Sequence, residues 1–85
     1  MKYYLNCDTK TEFNEVLSML NYYGFAVNLG EQFDLTNINL FVVDTDKLEA
    51  KFTHNVKLEK ELETKGLTLL KDFEDAYLKE LSLAL

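Results

Sequence analysis

The sequence predicts an α+β fold: a small, mostly antiparallel sheet of about four to five strands with two to three helices on one face, ferredoxin-like or a relative of it. Three observations carry that expectation. A strand pattern runs directly into a capped amphipathic helix and a second short strand; two strand patterns of opposite direction flank the turn-forming run Asp44-Thr45-Asp46-Lys47; and a second amphipathic stripe closes the chain. With 85 residues, 47% of them hydrophobic, and neither proline nor low-complexity sequence, residues 1–85 read as a single domain.

In chain order, "KYYLNC" (2–7) is short, aromatic-rich and roughly alternating, the pattern of a strand. Thr9 and Glu12 then show the spacing of a capping box, and Phe13, Val16, Leu17 and Leu20 fall on one helical stripe. Gly24 supplies the left-handed stop for that helix. "FAVNL" (25–29) reads as a second strand returning beside the first, and residues 30–37 as an irregular connection. "INLFVVD" is nearly continuous apolar sequence, so it belongs in the middle of the sheet; in "LEAKFTH", Leu48, Ala50 and Phe52 alternate with Glu49, Lys51 and Thr53, as in a strand with one wet face. Asn55 is a candidate N-cap for a helix over 56–66 that carries Leu58 and Leu62 and stops at Gly66. "LTLL" reads as a last short strand. A final helix over 71–85, with Asp72 as its candidate cap, places Phe73, Ala76, Tyr77, Leu81 and Ala84 on one face.

Composition narrows the function. Nine basic residues, all lysine, stand against 15 acidic ones for a net charge of −6. Nucleic-acid recognition depends on clustered positive charge and above all on arginine, so direct binding to nucleic acid is not expected; a basic or nucleic-acid-binding protein is the partner that this charge suits. One cysteine and one histidine cannot assemble an ordinary zinc site or an internal disulfide, and no cofactor is expected. Neither a signal-like segment nor an apolar run approaching 18 residues occurs, which points to a cytoplasmic protein with no membrane partner.

No phosphate-cradling glycine loop, nucleophile elbow or metalloprotease motif is present, and no catalytic or metal-binding residue is assigned. Asp44-Thr45-Asp46 has the form of a metal-binding D-x-D, but its place between two strands favours a turn closed by aspartate side chains. His54 at a strand end reads as structural, as does Cys7, a small residue packed under the first helix.

The stretches "YYLNCDTKTEFNEVLSMLNYYGF", "NLFVVDTDKLEAKFTHN" and "LETKGLTLLKDFEDAYL" resemble small uncharacterised bacteriophage and prophage proteins. In these a strand ending in CDT leads into a helix, a strand carrying VD and lysine follows, and a GYxxIxxxDF segment comes near the end. The resemblance covers nearly the whole chain, and every shared motif is structural. It implies a phage origin and an α+β fold, and it carries over no functional residue.

The expected function is a non-enzymatic protein-binding module that inhibits a host or defence protein through an acidic surface, acting as a DNA mimic. The tyrosine pair Tyr22 and Tyr23, with Asp72, Glu74, Asp75 and Glu80 of the last helix, are the candidate partner-binding residues. Leucines on that helix exceed one stripe, which makes Leu78, Leu83 and Leu85 candidate contacts of a homodimer. The alternative is a protein that sequesters or senses a nucleotide or metabolite in a pocket at the dimer interface.

Overall fold

A computed structural model describes residues 1–34, 39–54 and 68–84, the last without its side chain. The elements run β1 (Lys2–Asn6), α1 (Lys10–Tyr22), β2 (Ala26–Asn28), β3 (Leu40–Asp44), β4 (Glu49–Thr53) and α2 (Leu70–Ala84). The expected cap at Asn55, the helix over 56–66 and residue Leu85 lie outside the described residues. The fold is α+β, as the sequence predicts.

Both ends of α1 follow from local chemistry. Thr9 is extended and its hydroxyl accepts the Glu12 N–H at 3.1 Å, while the Glu12 carboxylate reaches back to the Asp8 N–H at 2.9 Å. At the other end Gly24 has φ +82°, the Phe25 N–H donates to the Leu20 carbonyl at 3.0 Å, and the Gly24 N–H donates to Asn21 at 3.1 Å. Those two bonds are a Schellman motif, and the buried pair Phe25 and Leu20 supplies its apolar contact.

The four strands lie in the order β1-β3-β4-β2. β3 is antiparallel to both β1 and β4, whereas β2 runs parallel to β4. β2 therefore lies at the opposite edge from β1, and the expected return beside β1 is corrected: the β3–β4 hairpin is inserted between the two strands that α1 connects. Three residues, "AVN", carry too little alternation to select a neighbour, and the crossing of α1 decides their place. β3 is interior, as its continuous apolar sequence requires.

Register sorts the side chains. Tyr3, Val43, Ala50 and Val27 form one cross-sheet row and Leu5, Phe41 and Phe52 the next, all facing the helices. α1 sets Phe13, Val16, Met19 and Leu20 against them. The Phe13 ring lies 4.8 Å from Phe52 and 5.4 Å from Phe41, centroid to centroid. α2 covers the same face with Phe73, whose ring meets Tyr3 edge-on at 5.1 Å, and with Tyr77, 5.2 Å from Phe25.

Three further expectations are corrected. The described part of "LTLL" is not a strand: the Thr68 N–H makes one bond, 2.8 Å, to the Tyr4 carbonyl at the edge of β1, and Leu70 already belongs to α2. Asp72 accordingly sits inside the first turn of α2, where its charge suits the helix dipole, with the Leu69 carbonyl accepting the first helical bond from Phe73. Leu48 does not continue the inward alternation of Ala50 and Phe52. It is a turn residue with φ +54°, 42% exposed.

Candidate functional site

The turn between β3 and β4 has a definite internal chemistry. One oxygen of Asp44 accepts the N–H groups of Asp46 at 3.0 Å and Lys47 at 3.3 Å, closing the turn from the aspartate side chain. Partial burial pushes the Asp44 carboxyl up, but those two N–H groups, with the charges of the N-terminus and Lys47, outweigh it and hold the group below its usual value. Thr45 and Asp46 face the start of the chain: the Met1 ammonium lies 2.5 Å from Asp46, and the Met1 carbonyl accepts the Thr45 N–H at 3.0 Å. Among the described residues no group of three or more His, Cys, Asp and Glu side chains is placed to hold a metal ion.

His54 lies at the far end of β4 from this turn. Its backbone N–H donates to the Glu31 carboxylate, and its Nε2 meets the Gln32 carbonyl. A carbonyl only accepts, so Nε2 carries a proton, and the imidazole clamps residues 31–32 onto the sheet. Asn39 makes a matching clamp nearby, exchanging two hydrogen bonds with the backbone of Asp34 at 3.0 and 2.7 Å. Cys7 is buried under α1, and burial first, then Glu12 and Asp8, pushes its thiol up to about 12.

The candidate partner-binding residues fall into two groups. Tyr23, Glu74 and Glu80 are engaged within the fold: the Tyr23 hydroxyl donates to Glu74 at 3.0 Å, and the Tyr3 hydroxyl donates to Glu80 at 2.9 Å. These bonds tie α2 to α1 and to β1. Tyr22, Asp72 and Asp75 are exposed, Tyr22 by 83%, with its ring edge-on to Tyr23 at 5.0 Å. Tyr23 is in turn 5.4 Å from Tyr77, so a ladder of tyrosines leads from the solvent-facing Tyr22 to the buried side of α2.

Of the candidate dimer contacts, Leu78 and Leu83 are exposed and Leu85 lies outside the described residues. Leu81, expected on the buried face, is 41% exposed. It lies one turn beyond Tyr77, the last buried residue of α2 among the described side chains, where the helix has passed the end of the core. A hollow of about 530 Å³ opens between this end of α2 and the β3–β4 turn, lined by Tyr77, Leu81 and Leu83 on one side and Leu48 on the other, with Asp46 and Glu80 at its rim. Sequence reasoning missed Leu48 here, because a leucine with positive φ leaves no pattern.

No protein-family model matches the chain, and no curated protein or solved structure is significantly similar to it. Among the described residues no helix is long and apolar enough to cross a membrane.

Proposed function

We propose that this protein is a non-enzymatic binding module whose α2 flank docks on a basic site of another protein and blocks it. The observation that carries the reading is the hollow where the exposed Leu48, Leu81 and Leu83 lie beside Asp46 and Glu80, with Tyr22, Leu78, Asp72 and Asp75 exposed elsewhere on the two helices. Large apolar side chains left in water on a helix where acids outnumber lysines suit a partner that covers the leucines and offers lysine or arginine to the rim. Tyr22 supplies a rigid aromatic anchor with few rotamers to lose.

Net charge of −6 steers such a partner into place and repels nucleic acid, so a protein surface that normally holds nucleic acid fits best. The likeness of the cap, stripe and turn motifs to small phage proteins supports a bacterial host or defence protein as the target. The chain immobilised in bacterial lysate at low and high salt, with captured proteins identified by mass spectrometry, tests the reading. One stoichiometric partner released by high salt is the expected result; capture that is unchanged by salt contradicts an electrostatic interface.

A further inference from the structure

The face of the sheet turned away from α1 and α2 carries a second hollow. There, Lys2, Asp44, Glu49 and Ala26 form one cross-sheet row, and Val42, Lys51 and Asn28 lie in the next. At this end of the face the side chains of Ala26, Val42 and Asn28 are too short to fill the space above the strands. They leave an open trough of about 470 Å³, with Lys2, Lys47 and Lys51 on its walls. Tyr4, at the β1 end of that second row, is buried, as are Leu40 and Thr53 in the row beyond it, so the trough is confined to this end of the face.

The charges of the trough differ from those of the molecule. Three of the nine lysines converge here, in a protein whose net charge is −6, and none of the three forms an ion pair with a described carboxylate. Of the two acids on the walls, Asp44 has one of its two oxygens engaged by the turn N–H groups. Among the described residues Glu49 makes no such bond, and it stands directly across from Asp44, a like-charge pair that costs stability unless something offsets it.

We infer that this trough binds a small phosphorylated molecule that also carries hydroxyl groups, of the size of a sugar phosphate or nucleotide, with Lys2, Lys47 and Lys51 around the phosphate and Glu49 accepting from a hydroxyl. Lysine is a strongly hydrated point charge that needs no fixed fork of donors, which suits a phosphate held in an open site. A volume near 470 Å³ lies in the range of small-ligand sites and is too small for a macromolecular groove. The overall negative charge disfavours a long polyanion such as nucleic acid, whereas a small one meets chiefly the lysines within a screening length of about 8 Å. The site is separate from the α2 flank, so it stands or falls independently of the protein-binding reading.

The test is a titration of the whole protein with inorganic pyrophosphate and then with ADP, followed by amide chemical shifts and calorimetry against sodium chloride at matched ionic strength. Saturable shifts confined to Lys2, Asn28, Lys47, Glu49 and Lys51 are expected, with ADP binding more tightly than pyrophosphate. The Lys47→Gln/Lys51→Gln variant should weaken both by about tenfold or more, and Lys71→Gln/Lys79→Gln on α2 should leave them unchanged. All these positions are exposed, and an unaltered melting temperature confirms that each variant is folded. The inference is overturned if shifts are absent at millimolar pyrophosphate, if sodium chloride reproduces them, or if the α2 variant weakens binding equally.

Discussion

The Tyr23 hydroxyl donates to the Glu74 carboxylate at 3.0 Å, joining the end of α1 to the first turns of α2 across 51 positions of sequence. The Tyr3–Glu80 bond does the same between β1 and the second half of α2. Tyrosine and carboxylate, the residue types behind the proposed docking surface, are thus also what seats α2 on the rest of the fold. The exposed remainder, Tyr22 with Asp72 and Asp75, is held in position by engaged neighbours.

These two bonds predict an alkaline loss of stability. The Tyr3 phenol is pushed above its ordinary value of 10.0 by burial first and then by Glu80; the Tyr23 phenol is raised by its bond to Glu74 first and then by burial. A group whose folded pKa is raised stabilises the fold fully below the unfolded value and loses that contribution as pH rises through the folded one. Melting temperature should therefore fall above about pH 10. In Glu80→Gln and Glu74→Gln the fall should be shallower, and Tyr3→Phe should cost about 1 kcal/mol at neutral pH.

Leu48 adopts a conformation that L-residues with branched side chains avoid, at a cost of about 1 kcal/mol or more. Leu48→Asn should raise stability by about that amount, since asparagine tolerates φ near +54° and little apolar burial is lost. The same substitution removes one wall of the hollow beside α2 and should weaken partner binding. Denaturant unfolding and capture of the partner, measured on one variant, check both halves.

The core makes a contrasting demand. Phe73 is fully buried between the Tyr3 and Phe25 rings, and Phe73→Ala should cost about 3–5 kcal/mol, enough to bring an 85-residue domain close to unfolding at 37 °C. Leu83→Ala, at a side chain 82% exposed, should leave the unfolding midpoint nearly unchanged.

Cys7 should be inert in the fold. With its thiol at about 12, roughly one in ten thousand is thiolate at pH 8, and the sulfur is also out of reach of solvent. Iodoacetamide should label the native protein at least about a hundredfold more slowly than the urea-unfolded chain. Equal rates would place Cys7 at the surface.

What was legible in the sequence was the local chemistry. Thr9 with Glu12, Gly24 after an apolar stripe, and two aspartates between strands each signal a structure through hydrogen bonds a few residues long, and each is found. The interior place of β3 was also readable, because apolar residues on both faces need cover on both. Legibility failed where non-local contacts decide. The partner of β2 depends on how α1 crosses the sheet, and the start of α2 depends on where Thr68 leaves the edge of β1. The exposure of Leu81 depends on where the core ends rather than on its helical position. For the candidate surface, the sequence supplied the residue types but not the division of labour between Tyr22 and Tyr23, which adjacency alone leaves open. The lysine trough was invisible, since Lys2, Lys47 and Lys51 come from β1, the turn and β4.

The most direct measurement is the affinity of the captured partner for the wild-type protein and for an Asp72→Lys/Asp75→Lys/Leu81→Ser variant, by calorimetry at one fixed salt concentration. All three side chains are exposed, so the variant keeps its fold, as an unchanged circular dichroism melt would show. A protein that docks through the α2 flank loses at least about a hundredfold in affinity, some 2.7 kcal/mol. Wild-type affinity in the folded variant would place the interface elsewhere on the molecule.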